Sequence, residues 1–351
     1  MPVCASGLFP LLLIEWLSIK SDMTTALHLP ANDPSAAAEL LLDMPGNPMP
    51  DNAAAGFTPG FDGKKLRYGL FGPTDHPLAG SVVVLPGRNE NIEKYFETIR
   101  HLAGRGLGTA ILDWRGQGGS ERLIRDPARG YVESFSHYVA DLDRFFHDIV
   151  LPDCRGPYYV LGHSMGALVA LLAAPHLTNR VERMVLCAPL LQLARVALSR
   201  PALGRLSGLL FGLGLGTMYL GGGPPHKQQR PFSLNPLTSD PERFKRNSDI
   251  VAMRPSLALG GPTVAWLRAA CIAIETVTDP RFMARLRIPT LCLAAGRDEI
   301  VSTGAIEDYA SQLRYGSVLT IDGARHELLQ EADLYREQCL AALDAFIPGS
   351  G

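Results

Sequence analysis

The sequence predicts an α/β fold: a mostly parallel, doubly wound sheet with helices on both faces, interrupted once by a mainly helical insertion. Three observations carry this. Short continuous apolar runs bounded by glycine, proline or charge recur along the chain, and segments of helical apolar periodicity separate them. Strand and helix signals alternating in this way wind a parallel sheet with helices on both faces. The alternation stops after Cys187-Ala188-Pro189 and resumes only near Pro289, which marks the insertion.

Taken in order, residues 1–54 read as a flexible leader. The apolar run 8–14 is broken by Glu15, follows no basic residue and lacks a small-residue cleavage site, so no signal peptide is expected. A weak membrane anchor is the alternative, and Met23 is an alternative start. Residues 31–60 are rich in Ala, Pro, Asn and Asp, a composition that buries little apolar surface. Asp62-Gly63 then separates runs 57–61 and 66–71, the pattern of a hairpin. Runs 81–85, 109–112, 158–161, 184–188, 290–295 and 318–321 read as buried parallel strands. Segments 92–104, 133–150, 165–176, 305–313 and 331–346 read as the helices between them. The core is therefore expected at 55–189 and 278–351, with a cap at 190–277. Within the cap, residues 206–223 carry no charge and are dense in Leu and Gly. They read as a buried cap helix, the alternative being a surface that meets lipid or lines an acyl channel.

Composition narrows the function. With 46% hydrophobic residues in 351, the chain can bury a large core. Its 33 Lys plus Arg nearly balance 35 Asp plus Glu, so no overall field favours nucleic acid or an acidic membrane, and a small or neutral ligand is expected. The six cysteines are scattered, and Cys187 and Cys292 sit in apolar runs, so neither a disulfide framework nor a metal cluster is read. A reducing, cytoplasmic setting follows from that usage.

Gly162-His163-Ser164-Met165-Gly166 lies between a strand and a helix, the context in which a G-x-S-x-G segment forms a tight turn that exposes its serine. Glycine at both ends makes room in that turn. A serine hydroxyl needs a base, and His176, His226 and His326 follow it. His326 is selected because it follows the strand 318–321 through Asp322-Gly323-Ala324. An imidazole in this role needs a carboxylate, and Asp298 follows the strand 290–295 through Gly296-Arg297. Glu299 is the rival acid, and Asp322 a weaker one. The candidate triad Ser164, Asp298, His326 runs in the order nucleophile, acid, histidine, and each member follows a strand. Backbone N–H groups must also meet an oxyanion, for which Met165 and Arg88, the latter in Pro86-Gly87-Arg88-Asn89, are the candidates. An Arg88 side chain bound to a polar head group competes with an ion pair to Glu90 or Glu93. Asp113-Trp114-Arg115-Gly116-Gln117-Gly118 lacks the lysine and spacing of a phosphate loop and reads as a structural brace. The expected chemistry is hydrolysis of a carboxylic ester through an acyl-enzyme, with no cofactor or metal.

Pro86-Gly87-Arg88-Asn89-Glu90 with Glu93-Lys94-Tyr95, Arg115-Gly116-Gln117-Gly118 with Ser120, Gly162 to Gly166, Gly260-Gly261-Pro262-Thr263 with Trp266, and Gly323-Ala324 with His326-Glu327 together resemble the lysophospholipase L2 family of α/β hydrolases. Monoacylglycerol lipases are its relatives. The resemblance covers residues 57–346. It implies an α/β-hydrolase fold, the roles already assigned to Ser164, Asp298 and His326, and a lysophospholipid or monoacylglycerol as substrate; peripheral membrane contact, through run 8–14 or residues 206–223, is a separate expectation. Pro86-Gly87 replaces the histidine-glycine pair of monoacylglycerol lipases, which favours the lysophospholipase branch. A small-ester hydrolase or acyltransferase using the same triad, and a non-catalytic ligand-binding module, are the alternative readings. The oligomeric state is not read from the sequence.

Overall fold

The computed structural model describes residues 34–73, 78–227 and 231–347. The apolar run 8–14 lies outside them. Helix α1 (Pro34–Leu40) precedes β1 (Ala53–Pro59) and β2 (Lys65–Phe71), which form the expected hairpin. Its turn needs Gly63, whose φ of +83° is a conformation that side chains resist. Then follow β3 (Gly80–Leu85), α2 (Phe96–Ala103), β4 (Leu107–Leu112), α3 (Phe135–Phe145), β5 (Tyr158–His163), α4 (Met165–Leu177) and β6 (Val181–Cys187). After the insertion come β7 (Thr290–Ala295), α8 (Thr303–Gln312, numbered after the three helices of the insertion), β8 (Gly316–Ile321) and α9 (Asp333–Phe346).

Side-chain alternation explains how the layers form. Along β3, Val82 and Val84 join one apolar core with α2 and α9, while Val83 and Leu85 join a second with α3, α4 and α8. A strand buried on both faces reads as an unbroken apolar run, which is what residues 81–85 show. The sheet order is β1-β2-β4-β3-β5-β6-β7-β8; β2 is antiparallel to both its neighbours, and every pairing from β4 to β8 is parallel. The chain therefore switches direction across the sheet between β3 and β5, and open α/β sheets bind ligands at the carboxyl ends of strands at such a point.

Three expectations change. Residues 34–54, read as flexible leader, are folded. Leu41 and Met44 are buried, the Leu42 N–H donates to Glu93 Oε1 at 3.2 Å, and Asn47 Nδ2 donates to the Glu93 carbonyl at 2.9 Å. Composition missed this because a few buried apolar contacts and a buried carboxylate, not average polarity, hold the segment. Strand β8 is not fully buried: it closes one edge of the sheet, and Val318 and Leu319 are exposed. The helix expected at 92–104 is a 3₁₀ turn (Ile92–Tyr95) capped by Asn91 Oδ1, which accepts from the Lys94 N–H, leading into α2.

Between β6 and β7 run α5 (Arg200–Gly212), α6 (Pro241–Met253) and α7 (Val264–Val277). Helix α7 lies inside the expected cap, yet Trp266, Leu267, Ala270, Ile274 and Val277 belong to the same core as α3 and α4. The 206–223 stretch is not a buried helix. Its helix ends at Gly212, with Gly214 at φ +79° just beyond, and Leu206, Leu209, Leu213, Leu215 and Met218 are all exposed. Among the described residues no helix is long and apolar enough to cross a membrane.

Candidate active site

Ser164 stands at the end of β5 with φ 50° and ψ −112°, a strained conformation for any residue with a Cβ. Packing imposes it. A Cβ on Gly166 would lie 2.0 Å from the Leu85 carbonyl oxygen, and one on Gly162 2.8 Å from the Ala167 Cα, so the turn closes only because both are glycine. Hydrogen bonds hold it: the Ser164 N–H donates to the Cys187 carbonyl at 2.9 Å, and the Ser164 carbonyl accepts from Leu190 at 3.1 Å and Leu168 at 3.2 Å. The hydroxyl does not cap α4, so it is free for another partner.

That partner is His326. Its Nε2 lies 3.0 Å from Ser164 Oγ, and its Nδ1 lies 2.7 Å from Asp298 Oδ2. Asp298 has no exposed side-chain surface, and its other oxygen accepts from the Ile300 N–H at 2.8 Å and the Val301 N–H at 2.9 Å. A carboxylate so held orients the imidazole with Nε2 toward the serine. The rivals stand elsewhere: Glu299 pairs with Arg195 at 2.7 Å, and Asp322, His176 and His226 are exposed.

Met165 opens α4, whose N-terminus favours negative charge. Arg88 follows β3, and the two segments meet where Gly166 abuts Leu85 and Pro86. Among the described residues neither the Met165 nor the Arg88 amide donates to an acceptor. The loop carrying Arg88 is braced from β4. Trp114 Nε1 donates to the Pro86 carbonyl at 2.8 Å, Gln117 Nε2 donates to the Gly87 carbonyl at 2.9 Å, and Gln117 Oε1 accepts from the Asn89 N–H at 3.3 Å. The Asp113–Gly118 segment thus acts as the brace its sequence suggested. Asp113 itself is locked, pairing with Arg67 and accepting from the Gly119 N–H at 2.6 Å.

The Arg88 side chain pairs with neither Glu90 nor Glu93. It donates to the Gly260 carbonyl and lies 5.3 Å over the Trp266 ring, and burial pulls its guanidinium down to about 10. Glu93 is occupied instead by a two-point contact with Arg67 at 2.7 and 2.8 Å. Sequence proximity suggested the wrong partners because both carboxylates turn toward other elements.

A second set of residues was not singled out by function. Glu90 accepts from the Gly87 N–H, from Lys94 Nζ at 2.6 Å and from the Tyr95 hydroxyl at 2.5 Å, and lies 3.1 Å from His163 Nδ1. Lys94 also reaches Glu327 at 2.6 Å. Burial would push the Glu90 carboxyl up, but Lys94 and His163 beside it hold it well below the usual range. In the sequence Glu90, Lys94, His163 and Glu327 stand within the segments that carry the family resemblance, and Glu90 and Lys94 have i, i+4 spacing, but nothing there shows that the four side chains meet. Among the described residues no group of three or more His, Cys, Asp or Glu side chains could hold a metal ion.

Residues 76–333 match the family Hydrolase_4, described as serine aminopeptidase, S33. The chain is 31% identical over 307 residues to lysophospholipase L2 of Escherichia coli (strain K12), covering 82% of this chain and 85% of that protein. It is 28% identical to the probable lysophospholipase L2 of Haemophilus influenzae, covering 81% and 88%. Among solved structures, a soluble variant of Saccharomyces cerevisiae monoglyceride lipase in complex with a substrate analog aligns with a TM-score of 0.67 at 18% identity, covering 85% of this chain and 97% of that one. The Paleococcus ferrophilus monoacylglycerol lipase aligns at 0.64 with 21% identity, covering 81% and 99%. At these identities the structural likeness establishes the fold, an α/β hydrolase.

Proposed function

The chain belongs to the Hydrolase_4 family of serine hydrolases, and from that membership we propose that it is a carboxylic-ester hydrolase acting on lysophospholipid- or monoacylglycerol-like lipids, with Ser164, His326 and Asp298 as its catalytic triad. The observation that carries this is the continuous hydrogen-bonded line from Ser164 Oγ through His326 to the buried Asp298. Ser164 Oγ attacks the ester carbonyl as His326 Nε2 takes its proton, and the carbonyl oxygen becomes an oxyanion met by the Met165 and Arg88 amides. His326 then returns the proton to the departing alcohol, leaving an acyl-serine. Water, deprotonated by His326, attacks that ester and releases the fatty acid. Asp298 keeps Nδ1 protonated throughout and stabilises the imidazolium.

The lipid class follows the named relatives, and the insertion at 190–277, read as a cap, adds to it. Its exposed Leu206, Leu209, Leu213, Leu215 and Met218 offer apolar surface to an aggregated substrate, so the enzyme works at a lipid surface. A fluorophosphonate probe should label the wild type and leave Ser164→Ala unlabelled; equal labelling of both would remove Ser164 from the mechanism. Lysophosphatidylcholine, lysophosphatidylethanolamine and monoacylglycerol assayed side by side identify the head group. Nitrophenyl esters of graded chain length separate this reading from a small-ester hydrolase, which would prefer acetate.

A further inference from the structure

We propose that His163, the residue before the nucleophile, is a positioning residue held as an imidazolium, which fixes both the catalytic histidine loop and the oxyanion loop from beneath. This rests on the triad assignment above. The geometry is specific. His163 Nδ1 lies 3.1 Å from Glu90 Oε1, and His163 Nε2 lies 3.2 Å from the backbone carbonyl of His326. Both ring nitrogens therefore face acceptors, and only the doubly protonated ring donates to both. In either neutral tautomer one nitrogen would set a lone pair against an oxygen in a buried site, and His163 is only 4% exposed.

The connections reach each moving part of the reaction. The His326 carbonyl that His163 holds belongs to the proposed general base, and the two rings stand 4.9 Å apart. Glu90, the anionic partner, also receives the Gly87 N–H, directly before the proposed oxyanion donor Arg88. A Cβ on Gly87 would fall 2.9 Å from His163 Nδ1, so the loop is seated against this ring. Lys94 bridges Glu90 to Glu327, which follows His326. The elbow, the oxyanion loop and the histidine loop thus meet at one buried cluster.

The other groups facing His163 agree with a positive ring. Glu90 and Glu327 are carboxylates and Lys94 is the one other cation of the cluster, so two negative charges balance two positive ones. Tyr95 is held neutral, pushed well above its usual range by burial and by Glu90. Cys187, opposite His163 on β6, is held neutral by its contact with Cys339 and by burial. Burial alone would lower the His163 value, but Glu90 outweighs it and the net direction is upward.

The first test is nitrogen NMR of histidine-labelled whole protein, with His163→Gln used to assign the signal. Both ring nitrogens of His163 should stay protonated at pH 7.5. A neutral His163 ring at that pH overturns the proposal, whatever the enzyme hydrolyses. In the second, His163→Gln should lower kcat roughly 10- to 100-fold with KM nearly unchanged, through misplacement of the base. An unchanged kcat in the folded variant, or a loss that falls on KM instead, overturns the positioning role. Should that variant not fold, Glu90→Gln removes the anionic partner and should convert His163 to a neutral tautomer; a ring still doubly protonated there overturns it. Fluorophosphonate labelling of Ser164 in the same samples reports separately on the nucleophile, so failure of the triad reading and failure of this one are distinguishable.

Discussion

At the scale of single residues, each candidate catalytic group is held by a neighbour that could not be named from the chain alone. Ser164 was legible because strain, glycine and a following helix are all local and leave a pattern in five consecutive residues. Asp298 and His326 were legible because each follows a strand, and parallel strands bring such positions to one edge. His163 was not legible, although it lies within the same five residues, because its role depends on Glu90 and on the His326 carbonyl, both distant in sequence. Asp298 accepts two backbone N–H groups besides His326, so Asp298→Asn should keep its place while losing its charge. The amide can present N–H to His326 Nδ1 and so favour the wrong tautomer. The expected loss in kcat is about ten-thousand-fold, with KM little altered, measured by steady-state ester hydrolysis.

At the scale of elements, apolar runs identified the parallel strands because burial on both faces leaves no polar alternation to confuse them. Helices α4, α8 and α9 begin and end within a few residues of the periodic segments. The insertion was harder, since α6 is joined to the core by charge. Arg243 contacts Glu97 of α2 at 2.6 and 2.9 Å and Asp333 of α9 at 2.7 Å, and Arg246 reaches Glu97 at 2.6 Å. Burial would raise the Glu97 carboxyl, but hydrogen bonds from Arg243 and Arg246 outweigh it and bring it down to about 2. A carboxylate lowered on folding contributes stability that is present above the ordinary glutamate value of 4.5 and lost as pH falls toward about 2. Glu97→Gln should therefore cost about 1–2 kcal/mol at pH 7 after allowance for solvent screening. In urea unfolding followed across pH, the gap between variant and wild type should narrow below 4.5.

At the scale of the whole molecule, an insertion leaves the sheet after β6, beside the strand that carries Ser164, and returns to it at β7, the strand that leads to Asp298. Its apolar side chains divide in two. Those of α7 enter the main core, whereas Leu209 and Leu213, 63% and 67% exposed, face outward from α5 and the turn after it. Isolated exposed leucines are ordinary, and the proposed lipid-surface role rests on several of them standing exposed within one uncharged segment. Replacing Leu209 and Leu213 together by serine should leave hydrolysis of a soluble short-chain ester within about twofold, since surface changes of this kind cost little stability. Hydrolysis of vesicle-presented lysophospholipid should fall several-fold, read as loss of vesicle cosedimentation and of rate together. Equal loss on both substrates would point to a folding defect instead.

The sequence by itself determined the parallel sheet and the strand ends that carry Ser164, Asp298 and His326. Those depend on apolar periodicity and on turns, which are written in neighbouring residues. Only the tertiary structure decided that residues 34–54 fold onto Glu93, that Arg88 turns to Gly260 and Trp266, that the 206–223 leucines face outward, and that His163, Glu90, Lys94 and Glu327 form one buried cluster. Each of these is a choice among partners for a charge or an apolar face. Such choices are settled by which distant elements arrive alongside, and by the cost of burying a charge without an opposite one.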